Sequence, residues 1–411
     1  MKPRVLLAAS KLGYQTREFD EAAKRLGVEL MLATDRCHLL DDPWRDRAIP
    51  VKFDQELAAS AAQVAQRFDA VVAVGDRPAE LAAHVAARQG LRFHPPAAAH
   101  AARNKFLTRQ RFAEAGLLAP RYARVPLDQS APAQAQFPCV LKPLGLSASR
   151  GVIRADNEAE FQAAFARIRR LLNRPDIRRL HDEADRYIQI EEYIPGQEFA
   201  VEGVVRGGRL QQLAIFDKPD PLAGPFFEES IYVTPSRAPA AAQDALLDAT
   251  QRAVAALGLT DGPVHAEFRY NERGPWPLEL AARPIGGLCA RALRFGPHAM
   301  PLEELLLRHA LGEEIRDARL TGDASGVMMI PIARRGIFQS VDGMAEAQAV
   351  PFVTGVEITA KQGQLFEPLP EGGSYVGFIF ARGELAAEVE QALRAAHARL
   401  RFEFSRPLTL V

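Results

Sequence analysis

The chain lacks most of the features that place a protein at a glance. Its 411 residues hold three cysteines, Cys37, Cys139 and Cys289, widely spaced and with no C-x-x-C pair. That excludes a disulfide framework and reads as free thiols in a reducing compartment. Lys and Arg together number 51, and so do Asp and Glu. The balance removes the broad field that draws a protein to nucleic acid or an anionic membrane, so neither partner is expected. No apolar run could span a bilayer, and the opening MKPRVLLAASKLG is too briefly apolar for a signal peptide, so a cytoplasmic place is expected. No Gly-Lys pair occurs, hence no P-loop, and no G-x-G-x-x-G follows the first strand. The H-x-E at His265–Glu267 has no P-C-x-x-C after it, which argues against a deaminase-type zinc site. Cys289, among apolar neighbours, reads as a buried thiol rather than a nucleophile.

What is present is a soluble globular composition, 48% hydrophobic and 25% charged, long enough for two or three packed units. Over the first 95 or so residues, strand runs (RVLLAAS, VELMLAT, DAVVAVGD) alternate with helical ones (TREFDEAAKRLG, DQELAASAAQVAQRF, PAELAAHVAARQG). That alternation predicts a parallel sheet under helical cover. Beyond it the character changes. FPCVLKP and GVIRA read as strands around a Gly/Ser loop, Glu158–Leu172 and Arg178–Ala184 as helical stretches, and residues 186–218 as consecutive antiparallel strands.

HAEFRYNERGPWPLEL reads as one hairpin. With its turn centred on Arg273, Glu267 faces Glu279, and directly opposed side chains have Cβ atoms roughly 4.5–5.5 Å apart. Two like charges so close call for a cation, and magnesium suits two hard oxygen donors that leave room for water and phosphate. A hairpin with solvated charges is the plainer alternative. VLKPLGLSASRGV offers Lys142 on a strand, then a loop whose small residues let backbone N–H groups approach phosphate. IQIEEYIPGQE ends a strand at Glu191–Ile194, whose backbone could meet an adenine edge, and puts Glu198 past the Pro-Gly turn, where it suits ribose hydroxyls; a surface turn with solvated glutamates is the alternative.

Taken in order, Lys105, Lys142, the Gly/Ser loop, Glu191 to Glu198, Glu267, Glu279 and Arg283 resemble the ATP-grasp superfamily from about Asn104 to Gly287. The likeness is greatest to its carboxylate–amine ligases, typified by L-amino acid ligases, where the second metal glutamate is followed by Ala-Ala-Arg, here Glu279-Leu280-Ala281-Ala282-Arg283. Many other members carry asparagine where Ala281 stands. The departure leaves the metal shell one carboxamide short.

The resemblance implies a mixed α/β and α+β fold. A Rossmann-like preATP-grasp parallel-sheet domain would occupy residues 1–95, a central lobe with the phosphate loop 96–188, and a C-terminal lobe with metal and substrate sites 189–411, the two lobes clasping ATP. It implies that Lys105 and Lys142 touch the ATP phosphates and that the loop with Gly145, Ser147, Ser149 and Gly151 covers them. Glu191, with the backbone of Glu192 and Ile194, would hold adenine, and Glu198 the ribose. Glu267 and Glu279 would bind Mg²⁺ or Mn²⁺. Arg283, with Lys142 the catalytic pair, would stabilise the acyl phosphate, and Gly286 and Gly287 would meet the substrate carboxylate. The implied activity is ATP-dependent joining of a small-molecule carboxylate to an amine, by a homodimer. Loop 216–237, with Glu228, Glu229 and Ser230, suits the substrate cleft. Arg334 and Arg335 suit a second carboxylate less well than a solvated turn. Two rivals remain: a purine-pathway carboxylate ligase, which would want a basic phosphate pocket in the N-terminal domain, where Lys11 and Arg17 are scattered without a clear cluster, and a catalytically silent ATP sensor.

Overall fold

The computed structural model describes residues 2–10, 15–35, 44–132, 135–316, 318–322 and 324–407. Lys11 and Cys37 lie outside them, and all that follows concerns the described residues.

The apolar runs of the first unit form β1 (Arg4–Ala9), β2 (Glu29–Thr34), β3 (Ala48–Pro50) and β4 (Ala70–Val74), all parallel, in the order β3-β2-β1-β4. Buried on both faces, such strands are continuous hydrophobic runs. Helices α1 (Thr16–Leu26), α2 (Leu57–Ala62) and α3 (Asp76–Gln89) connect and cover them. Strand β3 is too short to show in sequence. Helix α3 starts at Asp76, before the proline of PAEL, with Gly75 at φ 97° turning the chain out of β4. An acid in the first turn suits the positive end of the helix dipole.

Two helices then lead into the second sheet, α4 (Pro96–Arg103) and α5 (Lys105–Glu114). Asn104 ends the first and caps the second, its side chain accepting from the amides of Phe106 and Leu107. Strands β5 (Tyr122–Pro126), β6 (Cys139–Pro143), β7 (Ile153–Ala155) and β8 (Tyr187–Glu192) form an antiparallel sheet ordered β5-β8-β6-β7, packed on α6 (Glu158–Leu172). The helical stretch expected at Arg178–Ala184 is instead α7 (Pro175–Arg178) and a 3₁₀ turn at Glu183–Arg186. His181 at φ 49° breaks the run, and Asp182 caps the turn.

The third sheet is built by β9 (Gln197–Arg206), β10 (Arg209–Lys218), β11 (Ile231–Thr234), β12 (Gly262–Asn271) and β13 (Gly274–Ala281), with α8 (Ala240–Leu257) between. A ribbon of β14 (Arg294–Phe295) and β15 (Met300–Pro301) precedes α9 (Leu302–Leu311). Then come β16 (Ala324–Met329), β17 (Gly336–Asp342), α10 (Met344–Gln348), β18 (Val353–Ile358), β19 (Leu365–Phe366), β20 (Gly377–Gly383), α11 (Ala386–His397) and β21 (Arg401–Ser405). The large sheet runs β13-β12-β9-β10-β11-β16-β20-β18, and β19-β17-β21 form a small one. β8 does not pair with β9 as the run of strands suggested: Pro195-Gly196 carries the chain from one sheet to another, with Gly196 at φ 135° and no room for a Cβ beside the Tyr270 carbonyl. One core crosses the first and third sheets, joining Leu6, Val71 and Ala83 to Val201, Val264 and Leu280.

Candidate active site

The hairpin β12–β13 pairs Glu267 with Glu279, as its sequence predicted, but by an unexpected route. The turn pairs Asn271 with Gly274, one residue out of step with that register. A bulge between Glu267 and Phe268 leaves Leu278 unmatched and restores the register. The carbonyls at the bulge are taken up by Arg109: its Nη1 donates to Pro277 O (3.0 Å) and its Nη2 to Leu278 O (2.8 Å).

Arg109, on α5 and 1% exposed, also grips Glu191 of β8 through Nε (2.6 Å) and Nη2 (3.3 Å). Lys142 of β6 lies 2.5 Å from the other side of that carboxylate, and Gln189 donates to it as well. Burial pushes the Glu191 carboxyl up, but the two cations outweigh it and hold it at about 2. The carboxylate of Glu191 thus faces Arg109 and Lys142. The Glu192 amide donates to Arg121 O, and Ile194 O accepts from Arg269 Nη1. Glu198 is paired with Arg269 (2.7 Å) and with Lys218 (3.6 Å).

Glu267 and Glu279 keep side-chain exposures of 24% and 27%, open where their neighbours are closed. Lys105 Nζ sits 3.4 Å from Glu279 Oε2 and donates to Leu146 O of the Gly/Ser loop at 2.7 Å. Lys218 Nζ sits 3.2 Å from Glu267 Oε2. His265 lies between Glu267 (3.5 Å) and the fully buried Glu202 (2.9 Å). Burial alone would lower this imidazole, yet hydrogen bonds to both glutamates raise it to about 9. Glu202 also accepts from the Ile285 amide, tying this ladder to the turn that carries Gly286 and Gly287.

Arg283 leaves the end of β13 and meets Asp76 of the first unit, Nε to Oδ1 at 2.7 Å. Gly287 is left-handed (φ 62°), and a Cβ there would lie 3.0 Å from the Phe378 ring, whereas a Cβ on Gly286 would meet nothing within 4 Å. In the Gly/Ser loop, Ala148 and Ser149 are also left-handed (φ 54° and 53°), a costly conformation for non-glycine residues. Gly151, at φ 78°, donates its amide to Pro370 O, so the segment after β19 reaches this loop. Ser147 is exposed, and Gly145 packs beside Asp185 and Arg103.

Of the residues expected from sequence, Lys142 and Glu191 form one ion pair, Lys105 and Glu279 another, and Glu198 and Glu267 share Lys218. Arg109, Arg269, Lys218 and Asp76 were not foreseen. Their partners are 50 or more residues away for most contacts, and only the buried sequence context of Lys218 at a strand end offered a cue. Cys139 and Cys289 are buried free thiols, and burial raises the Cys139 thiol to about 11. Arg335 pairs with Glu367, and Arg334 donates to Phe404 O. No helix is long and apolar enough to cross a membrane.

Residues 135–292 match the ATP-grasp domain, and residues 328–405 match the L-amino acid ligase C-terminal domain 2. The chain spans about half the length of the curated relatives it matches. It is 26% identical to an uncharacterized protein of Sinorhizobium fredii over 68% of this chain and 56% of that one. It is 27% identical to dapdiamide A synthase of Enterobacter agglomerans over 46% of this chain and 43% of that one. An L-amino acid ligase from Bacillus licheniformis superimposes with a TM-score of 0.82 at 25% identity, covering 99% of this chain and 100% of that one. The chain carries an ATP-grasp domain over residues 135–292 and is similar to L-amino acid ligases over nearly its whole length.

Proposed function

We propose that the protein is an ATP-dependent ligase that activates a carboxylate as an acyl phosphate and joins it to an amine, releasing ADP and phosphate. The observation that carries this reading is the opposed pair Glu267–Glu279, with Lys105, Lys218 and Arg283 around it in one cleft. We assign residues 1–95, 96–188 and 189–411 to the preATP-grasp, central and C-terminal units, acting as a homodimer on small-molecule substrates.

ATP would lie between the second and third sheets. Its adenine would sit against the Glu192–Ile194 edge, its ribose at Glu198, and its phosphates under the loop of Gly145, Ser147, Ser149 and Gly151. Glu191 then acts by aiming Lys142, which with Lys105 meets the phosphates. The two half-open carboxylates fit Mg²⁺ or Mn²⁺: both are hard oxygen donors, and a magnesium site of one or two carboxylates leaves the remaining positions to water and phosphate. Bound there, the ion would neutralise charge on the phosphates. Ala281, paired across the hairpin with His265, supplies no ligand.

The substrate carboxylate attacks the γ-phosphorus, breaking its bond to the β,γ-bridging oxygen; the amine then attacks the acyl carbon, phosphate leaves, and the amine gives up a proton. Little covalent chemistry is asked of the protein, which positions reactants and spreads charge. Arg283 faces the developing anion, and the backbone at Gly286 and Gly287 receives the carboxylate.

The purine-pathway reading wants free basic residues beside the first sheet. Arg77 and Arg103 lie there but are committed to Asp182 and Glu80, Arg17 is exposed, and Lys11 is outside the described residues. Incubation with ATP, Mg²⁺ and pools of amino acids tests the proposal. ADP and phosphate release that needs both a carboxylate and an amine supports it. Tight ATP binding without release in any pool favours a sensor.

A further inference from the structure

Lys218 is the last residue of β10 and is 2% exposed. Three carboxylates surround its ammonium: Glu229 Oε1 at 2.6 Å, Glu267 Oε2 at 3.2 Å and Glu198 Oε2 at 3.6 Å. The Tyr232 ring lies on another side, its centroid 5.0 Å away. An ammonium has three protons to give, and here each carboxylate belongs to a different working segment. Glu198 stands on the proposed ribose strand, Glu267 in the opposed pair, and Glu229 near the end of loop 219–230.

The three acids depend on Lys218 unequally. Glu198 also has Arg269, and Glu267 also has His265. For Glu229, Lys218 is the one ion-pair partner among the described residues. Loop 219–230 crosses the cleft, and its middle is held by the central lobe. Arg154 donates from Nη1 to Ala223 O (2.8 Å) and from its amide to Pro225 O (2.9 Å), and Phe226 bridges to Ile153 of β7. The middle of the loop is thus fixed to the strand after the Gly/Ser loop, and its end, through Glu229 and Lys218, to Glu267.

We infer that Lys218 is a positioning residue for the ligase reaction proposed above, aiming the Glu267 carboxylate and seating loop 219–230 as a single unit. The arrangement makes loop closure and placement of the metal carboxylate one event, because the same ammonium serves both.

The test uses the full chain and readouts that need no turnover. Mn²⁺ binding in the presence of ADP is followed by electron paramagnetic resonance, and amide hydrogen exchange is followed over residues 219–230. Lys218→Met should weaken Mn²⁺ binding about 10-fold or more, as loss of an outer-shell partner typically does, and should speed exchange in the loop. The ADP dissociation constant should stay within about 3-fold, since Arg269 still holds Glu198; a merely structural defect would not separate metal from nucleotide in this way. Glu229→Gln should speed loop exchange with a smaller loss of Mn²⁺ affinity. Lys218→Arg, which keeps the charge, should restore much of both, and it carries the test with Glu229→Gln if Lys218→Met does not fold. Unchanged Mn²⁺ affinity together with unchanged loop exchange in a folded Lys218→Met protein would overturn the inference. Failure of the wild type to release phosphate with any substrate pool would sink the ligase reading instead and leave these two measurements standing.

Discussion

Replacing Arg109 with methionine removes four hydrogen bonds from a side chain that is 1% exposed: two to Glu191 and one each to the carbonyls of Pro277 and Leu278. The size of the loss can be worked from the structure. Glu191 is held at about 2 against an ordinary 4.5, a difference worth about 3 kcal/mol to folding. Arg109 is the larger of its two cationic supports, so roughly 2 kcal/mol goes with it. Two buried carbonyls left without a donor add about 1 kcal/mol or more. The total, about 3–4 kcal/mol, agrees with the cost of breaking a buried ion pair from one side and is a large part of a typical 5–15 kcal/mol stability. Urea unfolding followed by circular dichroism should show the midpoint fall by about 1 M or more. The pH dependence has a definite sign. A depressed carboxyl stabilises above its unfolded value and loses that contribution as pH falls from 4.5 toward 2, so the variant should lose part of this acid slope. Removing both partners, Arg109→Met with Glu191→Met, should recover part of the loss, because no charge is then left buried alone. A single variant within about 1 kcal/mol of wild type, or a double variant as weak as the sum of its parts, would refute the reasoning.

Arg283→Ala should lower kcat at least about 10²-fold, judged by arginines that stabilise phosphoryl-transfer transition states. ATP binding by calorimetry should be retained, and near wild-type turnover would remove Arg283 from its role. Gly287→Ala should cost about 1–2 kcal/mol through its left-handed backbone and its contact with Phe378, and should raise KM for the carboxylate more than for ATP. His94 is buried with Nε2 3.0 Å from Pro263 O, and burial lowers it to about 4. The unfolded chain takes up its proton first, so stability should fall as pH drops below 6.5, by about 2 kcal/mol at pH 5. His94→Gln should flatten that slope, and an unchanged slope in urea titrations at pH 7 and 5 would show that His94 does not set it.

The parallel sheet was legible because strands such as β1 and β4 are unbroken apolar runs between amphipathic helices. The β12–β13 hairpin was legible in register, since Glu267 and Glu279 stand symmetrically about Arg273, although the bulge that makes this true was not. Sheet membership was the weaker point. Residues 186–218 carry one continuous strand signal, and nothing local says that Pro195-Gly196 leads to a new sheet rather than back along the old one. The buried cations were hidden for a related reason. An arginine in a polar helix such as α5 is ordinarily solvated, and Arg109 differs only because Glu191, 82 residues on, is brought beneath it by the fold.

Asp76 and Gln15 belong to the first unit yet end on Arg283 and the Ile285 carbonyl, at 2.7 and 3.1 Å. That unit is therefore not a cartridge to be exchanged freely among relatives. A chimera that brought in a foreign first unit without an acid at this position would leave the nearly buried Arg283 guanidinium without its ion-pair partner. Any graft, natural or engineered, has to carry the acid and the arginine together.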